Sequence, residues 1–268
     1  SVFSIIKRNG NIIKPRVEKS KKEQSERVKS KAEVFTPSWI CNAQNNLIDN
    51  AWFERENVFN IEMEKGWVTN SEKIAFPDGK TWQDYVKENR LEITCGEAPY
   101  LVSRYDTVTG EEIPIEKRIG LLDRKLRIVS ENVDIESEWI EWAKKAFKSV
   151  YGFDWQGDNV LLARENLLRT FIDYYAQKFD NFPIVKYLLG IAEIISWNIW
   201  QMDGLKYVIP NSCQFVDETI YTLFGEEHRK VECEGCKTNN PNKHNGIYCY
   251  IMDWSTNKRV KFVSLIKK

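Results

Sequence analysis

The stretch Leu-Glu-Ile-Thr-Cys-Gly-Glu-Ala-Pro-Tyr-Leu, residues 91–101, carries a short apolar run straight into a tight turn built on Gly96 and Ala98. Backbone that passes close to a ligand at the carboxyl end of a parallel strand needs small residues there, because a side chain would fill the ligand's space. Two later apolar runs end on acids: Ser149-Val150-Tyr151-Gly152-Phe153 ends at Asp154, and the run from Trp197 to Met202 ends at Asp203. In that order the three strand ends suit an adenosine-type ligand. The turn Cys95-Gly96-Glu97-Ala98 admits it, Asp154 accepts hydrogen bonds from ribose hydroxyls, Asp203 takes the exocyclic amine, and Trp155 stacks on the base. Each acid taken singly reads as an exposed loop carboxylate; the ordered set carries the argument.

A second constellation follows. Cys233-Glu234-Gly235-Cys236, His244 and Cys249 have the spacing C-x2-C-x7-H-x4-C. Two thiolates separated by two residues grip one side of a tetrahedral zinc ion, and a histidine and a further thiolate close the other, leaving no open position for water. The intervening Lys237-Thr238-Asn239-Asn240-Pro241-Asn242-Lys243 has nothing with which to build a core, so a metal staple suits it. Surface thiols on a polar loop are the competing reading.

The elements that must position these groups are legible as periodicities. Residues 2–8 and 11–14 flank Asn9-Gly10 and read as a small hairpin. Residues 16–31 are so rich in Lys, Glu, Gln and Ser that a solvated helix or a flexible connector is expected, an arm joined to the body. Thr36 is placed to cap a helix tolerating Pro37 in its first turn, with Trp39, Ile40, Ala43, Leu47 and Ile48 at helical spacing. A short helix is expected at 82–86, feeding a strand at 91–95. The stretch 113–126 carries mixed charge. Trp139, Ile140, Trp142, Ala143, Ala146 and Phe147 make a broad apolar helical face over 136–147, and further helices are expected at 158–175 and 185–195. Strands at 91–95, 149–154 and 197–203 alternating with helices predict an α/β fold with right-handed crossovers in an open, mostly parallel sheet.

Composition bounds the rest. Of 268 residues, 42% are hydrophobic and 13% aromatic, enough for a sizeable core. No run approaches the ~20 apolar residues that span a bilayer, and the charged start of the sequence does not read as a secretory signal. A soluble, cytoplasmic protein with no membrane partner is expected, and the six cysteines are then free thiols or metal ligands. Formal charge is zero overall, yet residues 1–33 carry ten Lys/Arg against four Asp/Glu and residues 226–268 carry nine against five. Basic ends on an acidic body can touch a polyanion such as nucleic acid; an ordinary solvated helix and a lysine-rich tail explain the same charges. Three segments are expected: a basic arm at 1–32, the main domain at 33–225, and a Cys/His-containing segment at 226–268.

Phe35-Thr36-Pro37, Cys95-Gly96-Glu97-Ala98, Tyr151-Gly152-Phe153-Asp154, Ala163-Arg164-Glu165-Asn166-Leu167 and Asp203-Gly204-Leu205, in this order, resemble the adenine-specific (N6) DNA methyltransferases of restriction-modification systems. The resemblance covers roughly residues 33–206. It implies a Rossmann-like, S-adenosylmethionine-dependent methyltransferase fold, here incomplete. It also implies that Phe35, Thr36, Pro37, Cys95, Gly96, Glu97, Ala98, Asp154, Trp155 and Asp203 hold S-adenosylmethionine. The sequence departs from the family at Glu92, where Asp is usual, and at Ala98, where a second Gly is usual. It also lacks the Asn-Pro-Pro-Tyr loop whose amide and ring engage the flipped adenine. No catalytic residue is therefore assigned.

The resemblance implies a cofactor-binding subunit or homologue acting on DNA, with catalysis and target recognition completed by a second polypeptide. The alternative is a non-catalytic module binding nucleic acid or protein on the same fold. In the family's strand order the missing fourth strand lies beside the strand at 91–95. That edge must then be covered either by the run Arg259–Ile266 or by the partner.

Overall fold

Residues 19–31 and 33 are docked on the body. In the computed structural model, which describes residues 13–31, 33–223 and 225–266, helix α1 (Lys21–Lys31) is tied down by its basic side chains. Arg27 bonds Glu33 and lies 2.8 Å from Asp158, and Lys19 lies 3.6 Å from the same carboxylate. Of the two expected forms the solvated helix is the one found, with Arg27 its one buried residue, and it is docked because carboxylates of the body meet its charges. The hairpin expected around Asn9-Gly10 lies outside the described residues.

Helix α2 (Ser38–Phe53) runs with the opposite face inward to that expected. Its apolar Leu47 and Ile48 are 70% and 43% exposed, while Asn42, Asn45, Asn46 and Asp49 are buried. The cause is Arg124, whose guanidinium donates to Asp49 Oδ2 (2.6 Å), Asn42 Oδ1 (2.9 Å) and Asn46 Oδ1 (2.7 Å). A buried cation needs an anion and hydrogen-bond acceptors around it, and this helix face supplies both. Nor does Thr36 cap the helix: Pro37 stands at the cap position, and the Ser38 amide donates to Asp106 Oδ2 at 2.7 Å.

A small antiparallel hairpin follows, β1 (Asn60–Met63) with β2 (Gly66–Thr69), then α3 (Trp82–Lys87), opened by a reciprocal Thr81–Asp84 capping box. Strand β3 (Arg90–Ile93) leads through α4 (Leu121–Asn132) and α5 (Glu136–Lys148) to β4 (Val150–Asp154). From β4 the chain passes through α6 (Gly157–Phe179) and α7 (Val185–Asn198) to β5 (Ile199–Gln201). Strands β3, β4 and β5 form one parallel sheet in that order, with Leu91 opposite Tyr151 and Phe153 opposite Trp200. The third strand is shorter than expected because α7 continues to Asn198, whose amide donates to the Phe147 and Val150 carbonyls at 3.0 and 2.9 Å.

The sheet lies between two covers. Val150 and Ile199 face the main core, where Trp139, Phe147 and Phe171 interdigitate. On the other face Phe153 and Trp200 pack against Phe262 and Cys249 from the C-terminal segment. Beyond β5 the chain forms hairpin β6 (Val216–Thr222) with β7 (Gly225–Val231), the short helix α8 (Glu234–Thr238), and hairpin β8 (Tyr250–Asp253) with β9 (Lys258–Lys261). The expected division at 225/226 thus falls inside the β6–β7 hairpin, after the first residue of β7. In the run Arg259–Ile266, residues 259–261 pair with β8 and Phe262–Leu265 forms a 3-10 turn, so it does not pair with β3 and the first of the two expected covers is excluded. Among the described residues β3 has a neighbour on one side only, and Leu91 and Ile93 stay 47% and 61% exposed. The architecture is mixed α/β, with small sheets of which one is parallel. No helix of the described residues is long and apolar enough to cross a membrane.

Candidate functional site

Three separated segments meet at the carboxyl ends of β3 and β4. They enclose a cavity of about 290 Å³ lined by Phe35, Thr36, Cys95, Gly96, Asp154 and Trp155, together with Glu92, Thr94, Pro99, Tyr100, Gln156, Asn159 and residues 31–34 outside the undescribed position 32. The turn after β3 holds three residues at positive φ, Thr94 (53°), Gly96 (54°) and Ala98 (63°). For a β-branched threonine that conformation is strained, and strain of this kind concentrates at ligand sites. Gly96 is needed twice over, for its φ and because a Cβ there would stand 3.3 Å from the Phe35 ring. Its amide donates to Asp154 Oδ2 at 2.9 Å, and the Gln156 amide donates to Oδ1 at 2.7 Å. Burial raises the Asp154 carboxyl above the usual range, against the pull of those amides. The Asn159 side chain also bonds this carboxylate, and of its roughly four acceptor sites one is left for a ligand hydroxyl.

Of the other expected residues, Thr36 accepts from the Thr107 hydroxyl through its carbonyl, at 3.2 Å, while lining the cavity. Burial pushes the Cys95 thiol well up, which keeps it protonated and suits it to packing instead of nucleophilic attack. Pro37, Glu97 and Ala98 do not line this cavity. Pro37 faces a separate cleft with Trp39 and Asp106. Glu97 is spent on the Arg16 amide (2.7 Å) and the Tyr105 hydroxyl (2.5 Å). Ala98 is fully buried in the core.

Asp203 lines an adjoining cavity of about 360 Å³, and Trp155 stands in the wall of both. One Asp203 oxygen accepts from the Leu205 and Lys206 amides at 2.9 and 3.1 Å, so the acid shapes its own turn. Sequence reasoning missed Glu92 and Asn159 as lining groups. Glu92 accepts from the Leu101 amide at 3.2 Å, and burial holds its carboxyl well above the ordinary range. Its apolar neighbours in β3 hid it, and alternation along the strand was the available signal. A larger cavity of about 590 Å³, between β2 and α4, was also not foreseen; it is lined by Trp67, Asp123, Arg124 and Tyr174. Its Arg124 is already committed to Asp49 and the asparagines of α2. It also lies away from the strand ends, where ligands bind in open α/β sheets.

The Cys/His cluster forms with one change of ligand. Cys213, Cys233, Cys236 and His244 bring their ligand atoms within 4.8 Å of one another, a set that can hold a metal such as zinc. Cys249 is not among them. Its Sγ donates to the Gln201 carbonyl at 3.3 Å, and the residue is packed with Trp200 and Phe262. Cys213 replaces it because the β6–β7 hairpin pairs Val216 with Val231 and so brings the two flanking cysteines, 213 and 233, to its base. Gly235 permits the approach of the histidine: a Cβ there would stand 2.5 Å from the His244 amide nitrogen and 2.6 Å from Nδ1.

No protein-family model, curated protein or solved structure matches the chain.

Proposed function

We propose that this chain is the S-adenosylmethionine-binding part of an N6-adenine DNA methyltransferase with a Rossmann-like core, and that a partner polypeptide supplies the Asn-Pro-Pro-Tyr loop and target recognition. One observation carries the reading. Phe35-Thr36, Cys95-Gly96 and Asp154-Trp155, distant in sequence, line a single cavity at the ends of adjacent parallel strands, and the glycine amide bonds the acid. The donor set suits a nucleoside with a cationic tail: a free acceptor site on Asp154 for a ribose hydroxyl and an indole face on Trp155 for the base. The sulfonium of S-adenosylmethionine supplies the methyl group; the residues of this chain bind and orient it. Phe35 closes the cavity over Gly96, and Glu92 and Asp154 provide acidic walls. The edge of β3 that is open among the described residues, beside which Leu91 and Ile93 stay exposed, supports completion in trans, since an unpaired strand edge is a template for pairing with another chain.

Calorimetry tests the reading. S-Adenosylmethionine is expected to bind the wild-type chain in the micromolar range, and Asp154→Ala to weaken it at least about tenfold, the loss of hydrogen bonds to a charged acceptor. Because ribose recognition uses the ionised carboxylate and burial raises its titration, affinity is expected to fall as pH is lowered, starting above the ordinary carboxylate range. Silence in the calorimeter, or equal affinity in the variant, refutes cofactor binding. Robust DNA methylation by the purified chain alone refutes completion in trans.

A further inference from the structure

The β6–β7 hairpin stands away from the core. None of its described side chains is buried, and Tyr221 and Leu223 near its tip are 78% and 101% exposed. A lone two-stranded hairpin is marginal in water, so something besides packing must hold it. Its two ends meet at the Cys/His cluster. We infer that Cys213, Cys233, Cys236 and His244 hold one structural zinc ion, and that this ion fixes the base of the hairpin and the wall of the cavity that contains Asp203.

The geometry argues for a metal over hydrogen bonding. The sulfurs of Cys213, Cys233 and Cys236 lie 3.6, 3.7 and 3.7 Å from the same atom, His244 Nδ1. An imidazole nitrogen offers one proton or one lone pair, which accounts for one thiol and leaves two without a reason to converge. In a tetrahedron with Zn–S near 2.3 Å and Zn–N near 2.0–2.1 Å, a sulfur and a nitrogen ligand stand about 3.6 Å apart. All three distances match that edge. Four protein ligands close the shell, so the ion is structural. Cys213, Cys233 and Cys236 also line the cavity shared by Trp155 and Asp203, so the ion anchors that wall as well as the hairpin. Nothing in this inference depends on the cofactor reading.

The full chain, produced with zinc in the medium and purified without chelator, is expected to carry one zinc per chain by mass spectrometry of metals. Cys213→Ser and His244→Gln are expected to lose it, while Cys249→Ser keeps it. Ligand variants can fail to fold, so the wild-type chain is also stripped and refilled with Co²⁺. The expected spectrum has the strong visible bands of a tetrahedral site and a thiolate-to-cobalt charge-transfer band. Stripping with a chelator is expected to open residues 211–246 to protease while the body survives. Absence of zinc and cobalt binding overturns the inference, as does a disulfide between Cys233 and Cys236 in the protein as purified. Full zinc content in Cys213→Ser with loss in Cys249→Ser overturns the ligand set. Calorimetry with S-adenosylmethionine is read separately, so either conclusion can fail alone.

Discussion

Two regions of this molecule remove polar groups from water by different means. Between α2 and α4, Arg124 is matched by a carboxylate and two amides, and Tyr85 adds a 2.9 Å bond to Asp49, all beside a core containing Trp139, Phe147 and Phe171. In the lobe from 211 to 246, four ligand atoms converge on a point, and the intervening stretch of lysines and asparagines contributes no apolar filling. The first region is held by pairing within a packed interior, the second, on the inference above, by coordination. The comparison teaches that the two should fail independently, under different chemical insults.

The largest expected effect breaks the first region. Arg124→Met leaves Asp49 buried without its closest cation and is expected to cost about 3–5 kcal/mol in urea unfolding, with zinc content of the surviving folded chain unchanged. Loss of zinc together with stability would show the two regions to be one unit.

Next in size is a pH effect confined to the same region. Burial raises the Asp123 carboxyl from 3.8 to about 6, outweighing Arg118 and the hydrogen bonds from Ser103 and Gly120. The folded chain therefore keeps this proton to a higher pH than the unfolded chain does. The associated stability is complete below about pH 4 and is lost as pH rises through about 6, a span of about 3 kcal/mol. Asp123→Asn is expected to flatten that slope, measured as the difference between variant and wild-type unfolding from pH 4 to 7; an unchanged slope sinks the assignment.

The smallest effect sharpens the account of the lobe. Arg229 pairs with Glu218 across the hairpin at 2.8 Å, but both side chains are well exposed. Such pairs contribute little. Arg229→Ala is expected to leave zinc content and protease resistance as in the wild type, whereas a clear loss of either would make the ion pair a support of the hairpin alongside the metal.

What was legible in the sequence was periodic or local. The helix at Glu136–Lys148 and the three parallel strands follow from apolar spacing, and the turn at Gly96 with its acid at Asp154 follows from residue type. What was hidden depends on contacts distant in the chain. The asparagine face of α2 turns inward because of an arginine 75 residues from Asp49, in a stretch whose mixed charges concealed α4. Cys213 joins the cluster through a hairpin register that residue spacing near Cys233 does not express. Cys249 had the spacing of a ligand, but its position opposite Trp200 sends it into the core.

The inward asparagine face of α2 bears on the order of folding. The part of that face made by Asn42, Asn46 and Asp49 gains little from apolar collapse and settles only once Arg124 is fixed, whereas Phe53 at the end of the helix is packed in the core and can dock earlier. Phe35 and Thr36 precede the polar part of that helix, so the cavity at the ends of β3 and β4 is expected to assemble late. Substitutions at Asn42 and Asn46 should then speed unfolding and leave the folding rate nearly untouched.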